Sequence, residues 1–284
     1  MRLVAALGDS LTCGEGVGVR VEPAETWVGL LAASLPGAAL SSAARPGACV
    51  HDIERYQLAL LPDRAEVVTI LAGLNDMVRA GFDGDAMQLQ LKAVVDAARD
   101  VGDVVLLGRY HDPIARIPLP RRLAAELQYR LARVNAVVDQ LEGGKVAVLD
   151  LATIAMLDRP EAWSVDRVHP SRAGHRAIAA AAVSVLRGSG RWADDDFRLV
   201  DQTGPASAPS PTQQLGWVVR HGIPYAARNL RTFSLLVTAA VSAVADRERS
   251  APGWARRPPA SPFEVKRLDE SSTICRTCAR LSPR

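Results

Sequence analysis

The sequence predicts a doubly wound α/β fold, and two observations carry that expectation. Short apolar or β-branched runs alternate with longer amphipathic stretches about five times before residue 190, and strands joined this way need crossover connections, hence a parallel sheet with helices on both faces. The runs are also nearly free of interposed polar residues, as strands covered on both faces require.

In chain order, residues 2–7 are an apolar run closed by Gly8-Asp9-Ser10, a buried strand ending in a loop. A glycine-rich connection, residues 12–23, leads to Glu22-Pro23, which starts a helix over 24–35 that Pro36-Gly37 stops. Residues 38–42 form a weak second strand. After the Arg45-Pro46-Gly47 turn comes an amphipathic helix over 50–61, then EVVTIL at 66–71, the clearest β-branched strand. It ends in Ala72-Gly73-Leu74-Asn75-Asp76. Helix 85–100, strand 103–108, helix 120–141, strand 145–149 and helix 171–187 complete the pattern.

The 284 residues are 48% hydrophobic and 23% charged, an ordinary globular composition. With 34 basic against 31 acidic side chains the chain lacks the large basic excess of a nucleic-acid binder. The balance is uneven: residues 201–284 hold 12 Lys plus Arg, 6 Asp plus Glu and 9 of the 18 prolines. This shift divides the chain into a body at 1–200, a Pro/Ser/Ala linker at 201–214, a helical extension at 215–246 and a disordered basic tail at 247–284. The extension, broken at Gly222-Ile223-Pro224, carries Trp217, Tyr225, Phe233, Leu235 and Leu236 beside Arg220, Arg228 and Arg231. Packing against the body or over a cleft is favoured for it above lying on an anionic membrane surface.

Four cysteines (Cys13, Cys49, Cys275 and Cys278) are too few and too irregularly spaced for a disulfide scaffold, which points to a reducing compartment. Cys275-Arg276-Thr277-Cys278 is half a zinc ribbon without its second half. The first apolar run is too short for a signal peptide, so a cytoplasmic location is expected. The longest charge-free apolar stretch, 232–245, falls short of the ~20 residues of a membrane span.

Ligand sites in doubly wound folds lie beyond the carboxyl ends of the strands. There stand Ser10 after the first strand, Gly47 after the second, Asn75 after the third, and Asp166 with His169 after the fifth. These are the parts of nucleophilic acyl transfer. A serine hydroxyl attacks an ester at neutral pH only if an imidazole takes its proton, and His169 is the candidate base. A carboxylate on the other ring nitrogen fixes the tautomer and stabilises the cation; Asp166, three residues earlier, is placed for that. The oxyanion needs fixed donors, and the Ser10 N–H, the Gly47 N–H and the Asn75 amide are the candidates. Other readings stand beside these. These are Ser10 as a turn cap, Gly47 as a turn glycine with positive φ, which coincides with its oxyanion role, and Asn75 as the head of an Asx turn; for Ser10 and Asn75 the functional reading is favoured. Asp9 and Asp76 are read as structural acceptors, Ser171 as the cap of the last helix, and His175 as a packing residue; His51, His111 and His221 are read as non-catalytic.

The blocks Gly8-Asp9-Ser10-Leu11, Gly47, Gly73-Leu74-Asn75-Asp76 and Asp166-Arg167-Val168-His169, in that order, resemble the SGNH/GDSL hydrolase superfamily. The likeness spans about residues 1–190. His169-Pro170-Ser171 with Gly174-His175 fits the HPSxxGH form common there, and Asp112-Pro113 and Trp163-Ser164 recur in actinobacterial GDSL-lipase-like proteins. The resemblance implies a flavodoxin-like α/β/α sandwich of five parallel strands in the order 2-1-3-4-5. It also implies a metal-independent esterase or lipase, needing no cofactor, that cleaves small-molecule acyl esters.

Other motifs fail. Gly14-Glu15-Gly16-Val17-Gly18 departs from GxGxxG because residue 19 is Val, and is read as a flexible loop on the substrate side. Neither GxSxG nor HExxH is present. Cys13 and Cys49, close in sequence to Ser10 and Gly47, are read as small buried fillers, with pairing left open. The expectation is a serine hydrolase for short-acyl esters; an acyltransferase using the same residues, or an idle member that binds a partner or membrane through its tail, is the alternative.

Overall fold

A computed structural model describes residues 2–116, 119–192 and 196–229, together with 237, 238 and 242. Part of the expected extension, including Phe233, Leu235 and Leu236, lies outside the described residues, as do the 247–284 tail, Cys275 and Cys278.

The five expected strands form one parallel sheet. They are β1 (Arg2–Gly8), β2 (Ala38–Ser42), β3 (Ala65–Leu71), β4 (Gly102–Arg109) and β5 (Val146–Asp150), in the spatial order β2-β1-β3-β4-β5. Val4 of β1 lies between Leu40 and Val67 of its two neighbours. Val4, Ala5, Ala6 and Leu7 are buried, which is why that run reads as continuously apolar.

The one-turn helix α1 (Ser10–Cys13) leaves β1 directly; α2 (Trp27–Ser34) follows, then α3 (Val50–Asp52), the one-turn α4 (Leu74–Met77), α5 (Gly84–Val101), α6 (Arg121–Leu141) and α7 (Arg172–Gly188). α2 and α7 pack together on one face of the sheet, and α3, α5 and α6 cover the other. This is the three-layer sandwich that the resemblance implied, with every strand's carboxyl end feeding the same rim.

Two helices differ from the sequence reading. The expected 24–35 helix is a 3₁₀ turn, Pro23–Glu25, followed by α2, because Thr26 takes an extended conformation and its hydroxyl accepts the Gly29 N–H. The expected 50–61 helix has one α turn, then a π turn over Ile53–Gln57 and a 3₁₀ turn over Leu58–Leu60. Gln57 ends that π turn. Its amide accepts from the Gly8 N–H and donates to the Gly8 carbonyl, both at 2.9 Å, and this fastens the end of β1.

A buried ion pair supports the loop after β3. Arg130 of α6 donates to Glu126 at 2.7 Å and to the carbonyls of Met77, the last residue of α4, and Arg79, just beyond it. Both charges are nearly solvent-free, so their mutual pairing and the two carbonyls are what makes burial tolerable.

The C-terminal segment is more ordered than a linker. Arg176 of α7 donates to the carbonyls of Gly204 and Pro205. Within the expected linker a helix, α8 (Pro211–Trp217), begins with a Ser210–Gln213 capping box and proline in its first turn. The expected break at Gly222-Ile223-Pro224 is instead a π turn, Val218–Gly222, running into α9 (Ile223–Arg228); the Ile223 N–H reaches back to Val218. No helix among the described residues is long and apolar enough to cross a membrane.

Candidate active site

Ser10 opens α1, but it is not the cap. Asp9 is, its Oδ1 accepting the Leu11 N–H at 2.9 Å. The Ser10 hydroxyl is thus not the cap, and it makes no hydrogen bond among the described residues. The same holds for two backbone donors. Neither the Ser10 N–H, at the first helical position, nor the Gly47 N–H, on an exposed turn with φ +76, has an acceptor among the described residues.

Asp166 and His169 form a closed unit. Asp166 Oδ2 meets His169 Nδ1 at 2.5 Å, while Oδ1 accepts the N–H groups of Val168 and His169 at 3.0 Å each. The turn that allows this passes through Arg167, a non-glycine residue at φ +62, a conformation that costs an L-residue roughly 1 kcal/mol. Burial alone would raise the Asp166 carboxyl; its hydrogen bonds to the His169 ring and to both N–H groups outweigh that and hold it below the usual carboxylate range. The ring is therefore fixed through Nδ1, leaving Nε2 as its proton-accepting nitrogen. Ser164 N–H donates to the His169 carbonyl and Trp163 Nε1 to Leu157, which ties the loop to the body. Ser10 and His169 share no hydrogen bond in this state.

The glycine run is not an irregular loop. It is a small hairpin, Glu15–Gly16 paired with Val19–Arg20, and Gly16 lies flat on the imidazole: a Cβ there would stand 2.4 Å from His169 Cε1. Six residues after Ser10, the chain is thus in contact with His169.

Asn75, the first helical turn after β3, has both hydrogens of its amide engaged, one by Asp9 Oδ2 at 3.0 Å and one by the Ala48 carbonyl at 3.1 Å. Asp76 accepts the Val50 N–H with both oxygens, holding the start of α3 to the loop. His175 Nδ1 accepts the Trp27 N–H at 3.2 Å, and burial, with a smaller push from the His169 charge, drops its pKa to about 3, so it is a neutral brace for α2. Cys13 and Cys49 are free thiols, half-buried rather than buried, and burial raises both. Among the described residues no cluster of three or more His, Cys, Asp or Glu side chains could hold a metal ion.

Asp9 carries a pH signature. Its pKa is pushed up to about 7, because burial outweighs the Leu11 N–H, the His169 charge and the Asn75 amide, with Asp76 adding to the rise. A folded pKa above the unfolded value of about 3.9 means that the native state binds the extra proton. Stability through this group is therefore full below about pH 4 and is lost as pH rises toward 7, by up to ~4 kcal/mol. Urea melts at pH 5 and pH 8 should show a larger loss in the wild type than in Asp9→Asn; equal losses would assign the carboxyl an ordinary pKa.

Residues 6–177 match the GDSL-like lipase/acylhydrolase family. The chain belongs to that family. This GDSL hydrolase is accordingly an enzyme acting on ester bonds. No match was found among curated proteins. Several solved structures share its fold. The lipase Lip_vut3 from a goat rumen metagenome has a TM-score of 0.52 at 22% identity, covering 67% of this chain and 98% of its own. The psychrotrophic esterase EstA from Pseudoalteromonas sp. has 0.51 at 19%, covering 68% and 100%. The extracellular lipase of Streptomyces rimosus has 0.50 at 20%, covering 65% and 100%. In each case the relative is spanned almost whole, while about a third of the GDSL hydrolase described here lies beyond the match.

The residues that sequence reasoning missed are those that act at a distance in the chain. Gly16 on His169 and Gln57 on Gly8 have no motif. The one available signal for the first was the density of glycine in the 14–18 run, which was read as flexibility instead of as close approach.

Proposed function

We propose that this GDSL hydrolase cleaves short-acyl carboxylic esters through a Ser10, His169 and Asp166 triad. The observation that carries this reading is the 2.5 Å contact of Asp166 with His169 Nδ1, which leaves Nε2 as the base. The unemployed hydroxyl of Ser10 stands on the segment whose Gly16 rests against that ring.

In the first half-reaction Ser10 Oγ bonds to the ester carbonyl carbon and its proton passes to His169 Nε2. The alkoxide then leaves with that proton. In the second half His169 takes a proton from water, the hydroxide attacks the acyl-enzyme, and the carboxylic acid departs as Ser10 Oγ regains the proton. Asp166 stays ionised and orients the ring. Ser10 and Gly47 supply free N–H groups to the oxyanion, and Asn75 joins them by exchanging its bond to Asp9 or Ala48. Substrate binding draws Ser10 and His169 together, since such contacts are often long before the Michaelis complex forms.

A short acyl group is supported by an apolar hollow among Leu11, Leu74, Tyr110 and Val168, chain neighbours of Ser10, Asn75 and His169 among them. It holds about 10 Å³, room for about one water or a methyl group. Free Cys13 and Cys49 fit a reducing, cytoplasmic setting. Transfer of the acyl group to an alcohol uses the same residues and differs only in product.

A fluorophosphonate probe tests the nucleophile. It should label the protein once per chain, with the added mass on the peptide that contains Ser10; label elsewhere, or none, would refute the assignment. A second reading, contact with an anionic membrane surface, is favoured by the exposed Leu215, Val218, Val219, Ile223 and Tyr225 beside Arg220 and Arg228. Cosedimentation with anionic but not neutral vesicles would bear it out, and equal failure with both would exclude it.

A further inference from the structure

The contacts of α8 and the π turn after it converge on the His169 loop. Gln214, Trp217 and His221 are spaced three and four residues apart and so share one helical stripe. Each touches the body. Trp217 Nε1 donates to the Val17 carbonyl at the hairpin turn at 2.6 Å. His221 lies against Gly18, where a Cβ would come within 2.6 Å of its ring. Gln214 Oε1 accepts from Arg167, the residue with left-handed backbone between Asp166 and His169.

The hairpin is therefore held between two imidazoles. His169 presses on Gly16 from one end and His221 on Gly18 from the other, with Trp217 bonded to the residue between them. Side chains at positions 16 and 18 would keep the layers apart, which gives the glycines of this run a packing role. The same segment contributes Pro209 and Gln214 to a cavity of about 390 Å³ whose other wall is the loop carrying Pro160, Trp163, Ser164 and Arg167.

We propose that residues 209–222 are a clasp that positions His169, with Trp217 as the principal positioning residue: it fixes the hairpin that bears on the imidazole while Gln214 fixes the loop from which the imidazole projects. This rests on the reading of His169 as the base. The clasp is a device of this chain's C-terminal segment, outside the residues matched by the family.

Trp217→Ala in the full-length protein tests it, with p-nitrophenyl acetate as substrate. Among the described residues the Trp217 side chain hydrogen-bonds Val17 and none of Ser10, His169 and Asp166, so its loss should appear as misplacement of the base and not as lost substrate binding. The expected result is a fall in kcat of about tenfold or more with KM within about twofold, since displacements of about 1 Å in a reacting group cost up to ~10²-fold. The rate of fluorophosphonate labelling at Ser10 should fall in parallel. His221→Ala should give a smaller effect of the same kind and replaces Trp217→Ala as the test if circular dichroism shows that variant unfolded. Unchanged kcat, or a loss carried by KM alone, overturns the proposal. Failure of the underlying reading is seen separately, as activity that survives Ser10→Ala.

Discussion

Ser10→Ala is expected to lower kcat for p-nitrophenyl acetate by about 10⁴-fold or more. In serine-triad enzymes removal of the nucleophile costs up to ~10⁶, and what remains over water comes from the oxyanion donors and binding. The expectation is sharpened by what the hydroxyl does not do. It caps no helix, since Asp9 does, and it holds no partner within the described residues, so alanine leaves every contact of the fold in place. The melting temperature should stay within about 2 °C of the wild type, in line with the near-neutral effect of surface changes away from structural features. A variant as stable as the wild type that keeps more than about 1% of its kcat would remove Ser10 from the chemistry.

Gly16→Ala should reduce kcat by about 10²-fold although it replaces none of the proposed Ser10, His169 and Asp166 triad. The backbone at Gly16 is not left-handed, so alanine is conformationally admissible there; the obstacle is space. Its Cβ would lie 2.4 Å from Cε1, 2.5 Å from Nδ1 and 2.8 Å from Cγ of His169. The ring cannot swing aside freely, because Asp166 holds Nδ1 and the turn through Arg167 holds Asp166. Either the imidazole tilts and stretches that contact or the hairpin lifts and uncovers the ring, and a displacement of about 1 Å suffices for the stated loss. Stability should fall modestly as well, since relieving that clash shifts a hairpin packed on His169 and bonded to Trp217. Wild-type kcat within threefold would mean that the hairpin does not bear on the base.

The strands and the helices that cover them were legible because each is decided by a local pattern. Residues 3–7 are apolar, and 67–71 apolar but for the buried Thr69, because both faces of β1 and β3 are covered, and burial of that kind leaves a mark in the sequence itself. Helix continuity was less legible. Thr26 reads as an ordinary helical residue until its hydroxyl is seen to restart α2, and nothing in residues 53–57 announces the π turn that delivers Gln57 to Gly8. Such features answer to hydrogen-bond partners remote in the chain. The C-terminal segment departs from expectation for a related reason: Pro209-Ser210-Pro211 has the composition of a linker, yet proline in the first turn and serine as cap are equally the start of a helix.

By itself the sequence determined the strands, the rim that their carboxyl ends share, and the presence of Ser10, Gly47, Asn75, Asp166 and His169 in the loops beyond them. Tertiary structure alone decided their states: both Asn75 hydrogens are engaged, Asp9 is buried enough to hold its proton near neutrality, His169 is roofed by Gly16, and Trp217 closes over that roof. The division has a physical cause. Residue type and local period fix what a group can do, whereas its protonation, its free hydrogens and its freedom to move depend on neighbours that sequence distance does not reveal.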